Sequence, residues 1–363
     1  MLWILLMLII IVIVATGVCF LMRRYKKLSF MKKAKEKNKI LWVTLLCVPV
    51  VIIAAITLFN TYIGVIGMLH LIGFWLLCSL ISKLLRKITK RNFRSDFEGL
   101  AAVILTVAYL SVGWYFAHHV YETTYTFDTS KDVGEGIRVA QIADLHLGTT
   151  LDGDGFAKQL ERIEKTNPDV LVITGDFVDD STKKSEMIKA CAALGEFESK
   201  YGVYFTFGNH DKPYMPDSCD YTEDELYAEL EKNNVIILDD EAVLIDDRFY
   251  IIGRQDKSER ARDEMNVLME GIDKSKYMIV LDHQPNDYEK ESEAEVDLVL
   301  SGHTHGGHIF PAGVLGYIAG ANDKVYGTER IDKTDFVVTS GISGWAIPFK
   351  TFAISEYVVI DIK

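Results

Sequence analysis

Cysteine is scarce in this chain, with 5 among 363 residues, and Cys19, Cys47 and Cys78 lie inside apolar runs as small hydrophobes. Only Cys191 and Cys219 remain, too few for a disulfide framework, although a single bridge between them stays open. Low-complexity tracts and internal repeats are missing, and 49% of the residues are hydrophobic, which together exclude a disordered chain. Acidic residues are rare at first: residues 1–117 hold 15 Lys and Arg against 3 Asp and Glu. The remainder reverses that balance, with 24 basic against 48 acidic side chains and no basic cluster. A surface of that sign repels phosphate backbones, so no nucleic acid is expected as a partner. The net charge of −12 is therefore the sum of two physically different parts.

Charge is missing altogether from four apolar stretches: Met1 to Met22, Ile40 to Phe59, Tyr62 to Ser82 and Gly99 to Ala117. Each approaches the roughly 20 residues that a helix needs to cross a bilayer core. The spacing predicts a transmembrane region over 1–117 with four helices, at about 1–22, 40–59, 62–82 and 99–117. The first has no basic residue before it and a basic run after it, so it reads as a retained helix rather than a signal peptide. His70 reads as facing a neighbouring helix. Nine Lys and Arg lie between the first two stretches and six between the last two, whereas the next after Ala117 is Lys131. Since Lys and Arg mark the cytoplasmic side, the expectation is a multi-pass protein of the cytoplasmic membrane with its acidic domain outside.

Residues 118–136 read as a polar connector, in which His118 and His119 are solvated. Beyond it, short apolar runs alternate with amphipathic stretches and no Gly/Pro-rich linker intervenes, which predicts one α/β domain over 137–363. Polar residues of metal-ligating type follow five of the predicted strands. They are Asp144-Leu-His146, Gly175-Asp176, Gly208-Asn-His-Asp211, Asp282-His283 and Gly302-His-Thr-His-Gly-Gly-His308. Strand ends of an open α/β sheet converge on one crevice. Carboxylates, imidazoles and a neutral oxygen donor on tight turns are what two cations need to hold a phosphate and activate water. Imidazole mixed with carboxylate suits Mn, Fe, Zn or Ni better than Mg or Ca alone.

This ordered set resembles the calcineurin-like metallophosphoesterase superfamily. The contexts Ser301-Gly-His-Thr-His-Gly-Gly307 and Thr339-Ser-Gly-Ile-Ser-Gly-Trp345 resemble its bacterial, membrane-associated YkuE-like branch. The resemblance runs from Ile137 to the C-terminus and implies a four-layer α/β/β/α sandwich with a dinuclear site of two divalent transition metal ions. By position, Asp144, His146 and His305 would hold one metal and Asp176 would bridge. Asn209, His283 and His303 would complete the second. His210 would hydrogen-bond the phosphate and protonate the leaving oxygen, with Asp211 orienting its imidazole. Outside the shared set, His308, Arg254, Asp256 and Asp282 are substrate or supporting candidates, and Trp345 and Phe349 a candidate apolar wall.

The expected function is a membrane-anchored phosphoesterase acting on a phosphomonoester or phosphodiester through a metal-bridging hydroxide. The tether points toward a phosphorylated substrate that is lipid-linked or part of the cell envelope, and toward the lipid bilayer as a partner. A receptor or scaffold that keeps the metal-binding fold without turnover is the alternative.

Overall fold

The computed structural model describes residues 2–90 and 95–363, apart from the side chains of residues 2–11, 13 and 95. It divides into two compact units, residues 1–112 and 113–363.

The first unit is helical: α1 (Leu2–Tyr25), α2 (Ser29–Lys37), α3 (Lys39–Phe59), α4 (Thr61–Thr89) and most of α5 (Ser95–His118). Asn38 starts α3 by accepting from the backbone N–H groups of Ile40 and Leu41, at 2.7 and 3.3 Å. Asn60 starts α4 by accepting from Ile63, at 3.0 Å, so the two-residue link predicted there is a tight helical hairpin. Among the described residues, three helices are long and apolar enough to cross a membrane, not four: Lys39–Phe59, Thr61–Thr89 and Asp96–His118. The first expected span lies within α1, but most of its apolar side chains fall outside the described residues. No residue of α3 is buried, as expected of a helix whose apolar surface meets lipid. The imidazole of His70 lies 5.4 Å from the Tyr109 ring on α5, a helix neighbour as expected. Glu98 is buried; Arg24 (3.5 Å) and Arg86 (2.9 Å) balance its charge, and the Ser79 hydroxyl donates to it (3.2 Å).

In the second unit, the predicted connector contains a strand. Val120-Tyr-Glu-Thr-Thr-Tyr-Thr-Phe127 forms β1, rich in the β-branched and aromatic residues that suit a pleated surface. The other strands are β2 (Ile137–Ile142), β3 (Val170–Thr174), β4 (Val203–Thr206), β5 (Ile236–Ile237), β6 (Glu241–Ile245), β7 (Phe249–Gly253), β8 (Tyr277–Leu281), β9 (Leu298–Ser301), β10 (Gly327–Ile331), β11 (Thr334–Val338) and β12 (Ser355–Ile362). They form two six-stranded sheets, in the orders β1-β12-β2-β3-β4-β5 and β10-β11-β9-β8-β7-β6. Strands β2 to β5 run parallel in one sheet, and β7, β8, β9 and β11 in the other.

Alternation along the strands builds the layers. Ala140, Ile142, Leu171 and Ile173 join the core under α6 (Gly153–Glu164), α7 (Lys184–Gly195) and α8 (Glu223–Lys232). Val139, Val170 and Val172 join Ile251, Ile279, Leu298 and Val337 between the sheets. Ile252, Met278, Val280 and Phe336 pack beneath α9 (Met265–Leu268) and α10 (Tyr288–Glu293), and a further short helix, α11, spans Ala312–Ile318. The result is the expected α/β/β/α sandwich. Cys191 and Cys219 are both free thiols, so the bridge left open by the sequence is not formed.

Candidate metal centre

Each chemistry-bearing segment begins where a strand ends. Asp144 and His146 follow β2, Asp176 follows β3, and Asn209 and His210 follow β4. From the second sheet, His283 follows β8, and His303 and His305 follow β9. The parallel strands bring these ends to one edge, and backbone bonds stitch the turns together. Asp144 N–H donates to the Gly175 carbonyl (3.0 Å), His146 N–H to that of Asp176 (3.0 Å), and Gly302 N–H to that of His283 (3.0 Å). Asp144, His146, Asp176, His303 and His305 all have positive φ, between 38° and 70°. Such backbone costs roughly 1–3 kcal/mol per residue and persists where surrounding contacts over-determine it. Two of those contacts are made by the site itself: His303 N–H donates to Asp144 Oδ1 and His210 N–H to Asp176 Oδ1, both at 2.8 Å. Gly341 completes the enclosure; at its φ of +76°, a Cβ would lie 2.6 Å from Asp144 Cβ.

The donor atoms fall into two groups, each within 4.8 Å: Asp144, His146 and His305, and Asp176, His283 and His303. In the first, His146 Nε2 and His305 Nε2 lie 3.1 Å apart. Neighbouring ligands on one cation, at bond lengths of about 2.0–2.1 Å, are separated by about that much. In the second, His283 Nδ1 lies 2.8 Å from the Thr174 carbonyl, an acceptor only, so the neutral ring carries its proton on Nδ1 and its lone pair on Nε2. That lone pair points at Asp176 Oδ2, 3.1 Å away. The same oxygen is 3.5 Å from His146 Nε2, so Asp176 reaches both groups. Asn209 Oδ1 joins the second group, 2.9 Å from His303 Nδ1.

Asp144 Oδ2 and His283 Nε2 are buried without a hydrogen-bond partner. Facing lone pairs in a dry site call for a cation, and this donor set fits two. Two of the imidazoles, His303 and His305, are already neutral as a metal requires, whereas His283 would give up a proton to the metal. Burial pushes Asp144 up to about 6. Burial, with the charge of His283, pushes His303 down to about 4. Burial and His146 push His305 well below its ordinary range, which leaves both imidazoles neutral. Burial also acts on His283, but the Asp176 and Asp144 carboxylates outweigh it and hold that ring well above its usual value. Burial would raise Asp176, yet His283 and His146 hold it below the usual carboxylate range.

Residues 137–307 match the calcineurin-like phosphoesterase family. An uncharacterized metallophosphoesterase of Aquifex aeolicus is 31% identical over 250 residues, which are 66% of this chain and 90% of that protein. The chain belongs to the calcineurin-like metallophosphoesterases. A metallophosphoesterase of Campylobacter jejuni is 29% identical over 62% of this chain, and a bovine transmembrane protein with metallophosphoesterase domain is 30% identical over 59%. The chain spans 59% and 50% of those two proteins. Relatives in bacteria and eukaryotes do not single out the YkuE-like branch.

Two expectations for this metallophosphoesterase site need correction. Asp211 does not orient His210: its buried carboxylate accepts from the N–H groups of Asp176 (2.9 Å), Phe177 (2.7 Å), Val178 (3.1 Å) and Gly208 (2.7 Å). These bonds occupy its lone pairs and tie the β3 and β4 turns together. Nor is Arg254 free for a phosphate, because Asp282 (3.0 Å), Asp287 (2.9 Å) and Glu291 (3.1 Å) hold its buried guanidinium. Asp256 is buried and accepts from Gln284 Nε2, at 2.8 and 3.0 Å. His210 is half-buried at the mouth of the site, with its ring 5.1 Å from that of His146. Trp345 stands beside both, 5.3 Å from His210 and 6.4 Å from His146, where an apolar wall was expected. The sequence reading missed Asp179, whose Oδ2 lies 3.5 Å from His146 Nδ1. Its signal was position, three residues after Asp176 on the same turn.

Proposed function

We propose that this protein is a membrane-anchored phosphoesterase that hydrolyses phosphomonoesters or phosphodiesters with two divalent transition metal ions. The observation that carries the reading is Asp176 Oδ2, within 3.5 Å of an imidazole nitrogen from each donor group. Asp144, His146 and His305 would hold one ion, Asn209, His283 and His303 the other, with Asp176 shared. Mn, Fe, Zn and Ni suit this mixture of imidazole and carboxylate. When bound, the two ions supply Lewis-acid polarisation of the phosphoryl group and a water acidic enough to attack.

The chain's own residues do the rest. His210 offers its imidazole to a phosphoryl or leaving-group oxygen, and burial lowers its basicity, so a proton it carries is readily given up. Trp345 screens the rings of His146 and His210 from water on one side. Asp179 orients His146, and Asp211 holds the two turns that present Asp176 and His210. The basic loops and apolar helices support a cytoplasmic-membrane protein with its enzyme domain on the outer face.

Assay of the full-length protein with Mn²⁺ on p-nitrophenyl phosphate, bis(p-nitrophenyl) phosphate and lipid pyrophosphates tests the reaction. Hydrolysis that disappears in Asp176→Ala is the expected result; metal-independent turnover, or full activity in that variant, would overturn it. Protease added to intact cells tests the orientation, and protection of the acidic domain would reverse it.

A further inference from the structure

The segment after the last histidines is unusually apolar for an exposed surface. Phe310 leads through Pro311 into α11, where Leu315, Tyr317 and Ile318 are 60%, 66% and 75% exposed. Phe352, 50% exposed, continues the patch, its ring 6.3 Å from that of Phe310. A contiguous apolar surface of this kind marks an interaction site. Gly307 seats the patch against the histidine turn, since a Cβ there would lie 2.9 Å from both Gly313 Cα and Phe352 Cδ1, and Trp345 is the aromatic neighbour of His210 in the metal centre.

What covers this patch is indicated by what it is bonded to. Lys350 N–H donates to the Gly113 carbonyl at 2.9 Å, and Thr351 N–H donates to the His308 carbonyl at 3.0 Å. Phe310 N–H in turn donates to Thr351 Oγ1 at 3.0 Å. Gly113 belongs to the candidate span Asp96–His118. The next two residues, Trp114 and Tyr115, are exposed and stack on His118 and His119, with ring centroids 4.1 and 3.8 Å apart. Paired aromatics at the end of an apolar helix mark the level of the lipid headgroups. The loop carrying Phe352 is therefore held at headgroup depth through Gly113, and Phe310 is held to that loop.

We infer that α11 and its flanking Phe310 and Phe352 dip into the bilayer interface as an apolar lip, and that the metal centre receives a phosphoester anchored in the membrane. The second half of this statement rests on the phosphoesterase reading; the first does not. An amphiphile would keep its chain among the lip residues and lipid while its phosphate reached the site past Trp345. The acidic balance of the domain gives no general attraction to anionic lipid, so apolar contact would hold the lip in place.

The test uses the full chain with its cysteines replaced, in nanodiscs of phosphatidylcholine and phosphatidylglycerol. An environment-sensitive fluorophore is attached at Ile318→Cys or, as a control, at Lys274→Cys. Lys274 lies before the start of β8, whereas His283 lies beyond its end. The expected result is a blue-shifted Ile318 probe quenched by lipids spin-labelled on the acyl chain, and a water-exposed Lys274 probe. An Ile318 probe as wet as the control would overturn the proposal. So would one that is dry but unquenched, which would mean a protein partner or a second copy.

A pair of substrates tests delivery: hexadecyl and methyl p-nitrophenyl phosphate share one reacting group. Leu315→Asp combined with Ile318→Asp is expected to lower the ratio of the hexadecyl to the methyl rate at least ten-fold. An unchanged ratio would overturn delivery from the membrane. If the unaltered protein cleaves neither diester nor p-nitrophenyl phosphate, the phosphoesterase reading fails; if it cleaves only the last, delivery of a membrane-anchored diester fails; in both cases the fluorescence still decides the lip.

Discussion

His283 points its Nε2 at Oδ2 of Asp176 across 3.1 Å, while its other nitrogen is committed to the Thr174 carbonyl. Two acceptor atoms that close in a buried site need a cation between them, a proton in the free protein and a metal ion in the loaded one. Chelation is therefore expected to abolish phosphoester hydrolysis and to lower the unfolding temperature, and Mn²⁺ to restore both. Metal present at a thousand times its dissociation constant would contribute about 4 kcal/mol. Elemental analysis of the purified protein should find two ions per chain, and fewer in Asp176→Asn.

Asp179 touches no expected donor group except through His146, whose Nδ1 it faces at 3.5 Å. Removing a carboxylate that orients a ligating imidazole typically costs about 10–100-fold in metal affinity or activity. Asp179→Ala should raise the Mn²⁺ concentration needed for half-maximal activity by that factor. Excess metal should recover much of the rate, which it would not do for a residue that transfers a proton.

Asp211 and His210 are adjacent in sequence and should separate cleanly by experiment. Asp211→Ala strands four backbone N–H groups, and even partial loss at about 1–3 kcal/mol each comes to at least about 3 kcal/mol. For a domain of this size that corresponds to a fall of about 6–12 °C in unfolding temperature, read by calorimetry. His210→Ala should unfold near the temperature of the unaltered protein and lose activity instead.

The Arg254 cluster predicts a pH effect remote from the metals. Two guanidinium groups, Arg254 and Arg262, meet three carboxyls, Asp282, Asp287 and Glu291. Burial and the Asp282 charge hold Glu291 well above its ordinary value, against the pull of Arg254. A carboxyl raised on folding favours the native state fully below its unfolded pKa, and that contribution is lost as pH rises toward the folded value. Glu291→Gln, which mimics the protonated form, should therefore gain unfolding temperature relative to the unaltered protein on going from about pH 5 to about pH 8. A difference independent of pH would mean that Glu291 is ionised throughout.

The centre was legible in the sequence because its parts are local. Asp144-x-His146 and His303-x-His305 announce themselves wherever they fold, and parallel strands carry their ends to one place. Buried strands such as Val170–Thr174 were legible for a similar reason, since a short apolar run between polar turns leaves few alternatives. The edge strand β10 was not: Gly-Thr-Glu-Arg-Ile keeps three of its five residues exposed and carries no apolar pattern. Strand β1 had the composition of a strand but was overshadowed by its place between a membrane span and a domain. The role of Asp211 was illegible because its partners are backbone N–H groups on another turn, which leave no trace in residue identity.

The position of β12 has a consequence for how the domain is made. It lies between β1 and β2, paired in parallel with the first and antiparallel with the second. A strand from late in the domain therefore fills a slot between its first two strands. Until it arrives, β2 has an open edge and β1 has no partner in the sheet. Closure spans more than two hundred residues of chain, as Val120 pairs with Ser355, and such long-range pairing forms late. A nascent chain whose β12 is still held in the ribosome thus keeps this sheet unfinished and pliable.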